Sequence, residues 1–198
     1  MLSSVPALVS GDLTVRPIRN ADWRELDHEL AVGRAWLQRW EATQPGVSGQ
    51  AGTRSAVRAM VSWMRRGESI TCVMCWREHI IGQVSVSQIA WGSLRSCSIG
   101  YWIAERMAGH GLAPTAVALM ADHLFQALGM HRIEICMRLE NQASRRVAEK
   151  LGFHYEGVRR GYIHIDGAWR DHHVFAMLAE DVPAGGVLAA LQQRRLQG

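Results

Sequence analysis

The segment Gly109-His110-Gly111-Leu112-Ala113-Pro114 is where residue type and spacing first suggest chemistry. Two glycines let a backbone turn sharply and come close to a ligand. A proline suits the first turn of a helix, where its missing N–H costs nothing. The free amides of such a turn, with the positive end of the helix dipole behind them, can hold a pyrophosphate. The segment is not a Walker loop, since no Gly-Lys-Ser/Thr follows. It is not a dinucleotide fingerprint either, since a third glycine and an acidic partner on the next strand are missing. The residues by themselves imply a generic phosphate cradle. Cys72-Val-Met-Cys75 and His172-His173 have the composition of metal ligands, but both sit in stretches that read as strands. Strand residues one or three apart point to opposite faces, so reduced buried thiols and a strand end are expected, with no metal.

The elements that must position this loop follow from periodicity. Ser96–Ile103 reads as a strand feeding the loop, and a helix over about 114–128 leaves it, with Val117, Met120, Ala121, Leu124 and Leu128 at helical spacing and Gly129 as the stop. Arg132–Arg138 alternates as a strand. A helix over Gln142–Leu151 follows, which Asn141 can cap and Gly152 ends. Upstream lie a strand at 13–18, a helix at about 22–32 and a short helical piece in AWLQRW. A loop at 45–53, a helix at 53–66, and strands at 69–76 and 79–89 around Arg77-Glu78 come next. Downstream, strands at 153–165 and 169–178 flank Asp166-Gly167, a strong hairpin signal, and the tail after Pro183 reads as a helix. Seven strands interleaved with helices make an α+β class. The 198 residues fit one domain, 1–198, with its core at about 13–178 and a tail at 179–198.

Charged residues at 20% and apolar ones at 48% suit a globular chain. No apolar run approaches the ~20 residues that span a bilayer, and the N-terminus lacks the pattern of a secretory signal. No membrane association is expected, the expected compartment is the cytoplasm, and disulfides are not expected there. The net charge of +4 is carried mainly by arginine, in pairs such as Arg145-Arg146 and Arg194-Arg195. Pairs this short, with no aromatic platform between them, read as solvated surface and do not make a DNA-binding protein.

In order and spacing, IGYWI, GHGLAPTA and ENQASRRVAEKLGFHYEG resemble the acetyl-CoA core of the GCN5-related N-acetyltransferases. The resemblance is to the ribosomal-protein alanine N-acetyltransferase branch, called RimJ/RimL-like. RAWLQRWE and YIHIDGAWRDH extend it over about 13–178. It implies a mixed, mostly antiparallel seven-stranded sheet flanked by helices and splayed between strands four and five, where acetyl-CoA and the acceptor meet. The family's phosphate loop, Gln/Arg-x-x-Gly-x-Gly/Ala, fits in two registers. Arg106-Met-Ala-Gly109-His-Gly111 satisfies the letters. Ala108-Gly-His-Gly111-Leu-Ala113 satisfies the distance from the strand and is preferred, leaving one side-chain contact to the pyrophosphate empty.

The resemblance further implies that Tyr101, Trp102 and Ile103 offer backbone groups to the pantetheine arm. Gly109, His110, Gly111, Leu112, Ala113 and Pro114 would form the phosphate loop, with amides from all but the proline, and Asn141 would lie beside the pantetheine. Ser144 would lie near the cofactor sulfur, where a hydroxyl can protonate a departing thiolate. Read from the residues alone, Asn141 and Ser144 are helix-capping groups sooner than cofactor contacts, and the resemblance reverses that preference. The implied reaction is direct attack of an uncharged amine on the thioester. An N-terminal ammonium has a pKa of about 8, so a carboxylate acting through water suffices as base. The branch's usual glutamates are replaced by Ser98 and fall at about Ile163, which leaves Glu41, with His164, His172 and His173 as alternatives. Trp36, Trp40, Trp102 and Tyr162 are candidate walls for the acceptor or ordinary core. The expected acceptor is a protein N-terminus (Ala or Ser), such as that of a ribosomal protein, handled by a monomer or homodimer. A small-molecule acetyltransferase, for example on aminoglycosides, and a non-catalytic acyl-CoA- or ribosome-binding module are the other readings.

Overall fold

Period-two and period-3.6 segments interleave along the chain, and a computed structural model describing residues 5–46 and 52–197 shows how they join. Residues 47–51 of the expected loop lie outside the described residues. Eight strands form one sheet: β1 Leu8–Ser10, β2 Leu13–Pro17, β3 Ile70–Trp76, β4 His79–Ala90, β5 Ser96–Ile103, β6 Arg132–Arg138, β7 His154–Ile165 and β8 Ala168–Leu178. Their spatial order is β1-β2-β3-β4-β5-β6-β8-β7. The sheet therefore has one strand more than the seven expected. The addition, β1, pairs antiparallel with β2 through Val9↔Thr14, across Gly11 at φ +58°. Three residues are too few to display a period of two, so this strand leaves no pattern in the sequence.

Helices α1 (Trp23–Val32), α2 (Arg34–Leu37), α3 (Thr53–Arg66), α4 (Leu112–Gln126), α5 (Gln142–Leu151) and α6 (Val187–Gln197) cover the sheet. The larger core, with Leu13, Cys72, Val84, Ile99, Leu124, Ile133 and Phe175, lies under α4, α5 and α6. Ile18, Leu26, Val57, Val73, Cys75 and Ile80 form the smaller core under α1 and α3. Cys72 and Cys75 thus fall in different cores, as strand alternation requires. Burial raises both thiols, Cys72 to about 12, which leaves them protonated and inert. Among the described residues no cluster of His, Cys, Asp or Glu could hold a metal, and no helix is long and apolar enough to cross a membrane.

Two features prepare the site. The strands are antiparallel except β5 and β6, which run parallel and pair only at Ser96↔Arg132, Cys97↔Ile133 and Ser98↔Glu134. Beyond Ser98, β5 continues against β4 and β6 continues against β8, so the two part company and leave a wedge. Secondly, α4 begins at Leu112, two residues before the expected start, and ends at Gln126. Gly111, at φ +76°, is its N-cap, and Gly109 ahead of it is at +82°. Both are left-handed conformations that only glycine adopts without strain. Pro114 is then the third helical residue, still within the first turn, where an N–H has no partner in the helix.

Candidate active site

β5 presents its C-terminal residues to the wedge on alternating sides. Tyr101 and Ile103 pack toward the larger core, and Trp102 toward the smaller. The loop Gly109–Pro114 follows at once, with α4 behind it. From the other side of the wedge, the turn after β6 delivers Asn141, whose side chain accepts from the Ser144 amide at 3.0 Å and caps α5. The capping reading of Asn141 is thus what the geometry displays. Ser144, one helical turn in, points its hydroxyl at the Tyr101 hydroxyl, 2.8 Å away. Burial raises the Tyr101 phenol well above its usual value, a shift that the Ser144 contact partly opposes. The pair therefore stays protonated and can pass a hydrogen bond either way.

These groups line a continuous cleft of about 1560 Å³. That exceeds the roughly 300–1,000 Å³ of a typical small-ligand pocket, which is room for two reactants. At one end lie Ala108, Gly109, Gly111, Leu112, Ala113 and Pro114, and Arg146 and Lys150 of α5 are also on the lining. His110 is exposed and is absent from the lining. At the other end lie Trp36, Trp40, Glu41 and the α3 residues Ala56, Val57 and Met60. A smaller cavity of about 170 Å³ runs into the wedge below Tyr101 and Ser144, lined by Ile163, Cys136, Arg138 and His172 among others.

The far wall is tied down by unlike contacts. The Trp36 indole donates to the Ile103 carbonyl at 3.2 Å, so that backbone acceptor is already engaged. Trp40 lies under the Arg138 guanidinium, 5.7 Å from the ring centre, and Arg138 donates to the Arg39 carbonyl at 2.8 Å. Ala42 bridges to Ile165, and the Thr43 amide donates to the His164 carbonyl at 2.8 Å. Glu41 lines the cleft and pairs with Arg34 at 2.7 Å. Tyr162 is outside the larger cleft; its hydroxyl bonds Gln88 of β4, reaching over the sheet, and His172 meets its ring edge-on. His172 and His173 face opposite ways, the second against Tyr155.

The buried carboxylates Asp22, Glu29 and Glu134 each pair with arginine, and Glu29 takes Arg106 in a two-point contact. Arg106 is therefore spent on α1, and the loop register that begins with it has no arginine to offer. Sequence reasoning missed Arg146 and Lys150, although their spacing of four residues on a helix that starts at the wedge places them on one face. It also missed Gln83 and Ser85 of β4, which line the cleft.

Comparison with known proteins agrees with this arrangement. The acetyltransferase (GNAT) domain family matches residues 12–154. The probable N-acetyltransferase YjcK of Bacillus subtilis is 42% identical over 104 residues, which span 52% of this chain and 58% of that protein. The [ribosomal protein uS5]-alanine N-acetyltransferase of Escherichia coli is 29% identical over 92% of this chain and 97% of its own. The structure of Mycobacterium smegmatis RimJ in complex with CoA-disulfide superposes with a TM-score of 0.86 at 32% identity, covering 92% of this chain and 89% of that one.

Proposed function

The chain belongs to the acetyltransferase (GNAT) family, and from that premise we propose that it acetylates the α-amine of a protein N-terminus, that of a ribosomal protein beginning with alanine or serine. The observation that carries this reading is the wedge beyond Ser98, with a glycine-capped helix start on one side and a tryptophan-lined wall on the other. Acetyl-CoA supplies the acetyl group as a thioester, already activated toward an amine. The RimJ structure holding CoA-disulfide and the uS5-alanine acetyltransferase support the cofactor and the acceptor class respectively.

The residues divide the work by position. The amides of Gly109 to Ala113, at the positive end of α4, take the pyrophosphate. The backbone of Tyr101 and Trp102 meets the pantetheine arm, and Asn141 holds the start of α5 against it. Ser144, backed by the Tyr101 hydroxyl, gives its proton to the departing thiolate. An α-amine near pKa 8 needs only modest help to lose its proton, and Glu41, acting through water, is the carboxylate that the tryptophan-lined side of the cleft offers. The cleft lining carries Arg34, Arg39, Arg146 and Lys150 against Glu41 and Glu140. That balance repels a polycationic antibiotic and admits a peptide end. The reaction belongs in the cytoplasm, where proteins are made.

Thiol release from acetyl-CoA tests the reading. Turnover with peptides beginning in Ala or Ser is expected. Turnover only with aminoglycosides would overturn the acceptor, and tight cofactor binding with no turnover on any amine would overturn the enzyme.

A further inference from the structure

The C-terminal helix α6 is anchored at both ends along α4. The amides of Val187 and Leu188 donate to the Asp122 carboxylate on α4 at 2.7 and 3.1 Å, and Val187 and Leu191 are buried. From there α6 runs back toward the start of α4, with its last turn against the glycine loop. Arg194 donates to the Lys150 carbonyl at the end of α5, 2.6 Å away. Arg195 donates through Nη2 to the Gly111 carbonyl at 2.7 Å and to the Thr115 hydroxyl at 3.0 Å. A Cβ on Gly111 would meet that same nitrogen at 2.8 Å. An arginine from the far end of the chain thus rests on the N-cap carbonyl of α4, next to the loop and outside the lining of the cleft.

Its charge is unmatched. Arg16, Arg106, Arg132 and Arg159, which are equally fixed in place, each pair with a carboxylate. Among the described residues no carboxylate lies within ion-pair distance of Arg195. Both of its bonds use one nitrogen, so of the five N–H donors of a guanidinium, those on Nε and Nη1 are uncommitted. The loop itself, Ala108 to Pro114, carries no lysine or arginine, and Arg106 is held by Glu29. Arginines in the last turn of a helix are commonly there for their own helix dipole. Arg195 instead reaches across to the first turn of another helix, where a carbonyl and a hydroxyl hold it through one nitrogen and leave the rest of the guanidinium free to meet an anion.

We propose that Arg195 is a phosphate-binding residue for the nucleotide end of the cofactor, supplying from α6 the cation that the glycine loop lacks. This rests on the acetyl-CoA reading above. Its chemistry is a guanidinium–phosphate contact, to either the diphosphate or the 3′-phosphate.

Calorimetric titration of the full chain with CoA and with dephospho-CoA tests it, using Arg195→Gln, Arg195→Lys and Arg194→Gln. Arg195→Gln is expected to weaken CoA about tenfold, a common loss for a charge-assisted hydrogen bond. Arg195→Lys should recover most of the affinity, and Arg194→Gln should stay within about twofold of wild type. A loss confined to CoA assigns the contact to the 3′-phosphate, and an equal loss for both ligands assigns it to the diphosphate. Wild-type affinity in Arg195→Gln overturns the proposal. So does an equal loss in Arg194→Gln or no rescue by lysine, either of which would make α6 a mere strap. If the wild-type chain binds no CoA, the cofactor reading itself fails first.

Discussion

Ser144 sits where two kinds of contact meet: its amide completes the cap made by Asn141, and its hydroxyl touches that of Tyr101 at 2.8 Å. Removing the hydroxyl leaves the cap intact, so Ser144→Ala separates chemistry from folding. At saturating acetyl-CoA its turnover should fall by about 100-fold, the low end for a positioned proton donor, while CoA affinity stays within a few-fold; an unchanged rate would strike Ser144 from the mechanism. His172 offers a different residue-scale test. It is 2% exposed, and its Nδ1 faces the Arg170 carbonyl at 2.9 Å; since a carbonyl only accepts, that nitrogen carries the proton of the neutral ring. Burial lowers its pKa, so the folded chain takes up a second ring proton less readily than the unfolded chain, which does so near 6.5. Stability should therefore decline as pH falls below about 6.5. Melting temperatures recorded between pH 7.5 and 5.5 should show a shallower decline for His172→Gln than for wild type, and parallel curves would exclude this ring as the titrating group.

At the scale of elements, the wedge depends on how closely β4 and β5 approach. Gly82 stands opposite Ile103, and a Cβ there would press into the Trp102 carbonyl oxygen and the Ile103 backbone, neither of which can swing aside. Gly82→Ala should cost about 1–3 kcal/mol, the range for an overpacked core, and should loosen cofactor binding by shifting the end of β5; a denaturant midpoint equal to that of wild type would refute it. Elements with their own punctuation were legible in the sequence. α5 occupies 142–151 as expected because Asn141 and Gly152 mark both of its ends, and α3 fills 53–66 up to Gly67. α4 was displaced by two residues because Pro114 looked like the opening of a helix that Gly111 in fact caps. In the candidate site, the glycine turn ahead of α4 and the Asn141 cap of α5 could be read because each depends only on its neighbours in sequence. The Arg195 contact could not, since 84 residues separate it from Gly111 and only the packing of α6 on α4 brings them together. Tyr162 lies off the cleft lining, because which strand face meets the cleft depends on bulges in the β7–β8 pairing that no local pattern announces.

Over the whole molecule, composition sharpens one expectation. Lys150 is the single lysine of the chain, and it is exposed on the cleft lining beside the phosphate end. An amine-selective acylating reagent has two targets, that ε-amine and the N-terminus. Mass spectrometry should find labelling of Lys150 slowed about tenfold by saturating CoA, a loss of occupancy equivalent to about 1.4 kcal/mol, with the N-terminus unaffected; equal labelling with and without CoA would place Lys150 clear of the cofactor. The short junction of β5 with β6 has a consequence on this scale too. An unpaired strand margin is the part of a protein that recruits other chains into aggregates, and most sheets blunt theirs at the outer rim. This sheet turns a second pair of margins inward, behind residues 39–44, which are stitched to β6 and β7. Those inner margins border the two cavities described above and are not on the sheet's outer rim. The molecule thus keeps hydrogen-bonding backbone facing its ligand cleft, in a place other than the sheet edges where strands usually recruit partners.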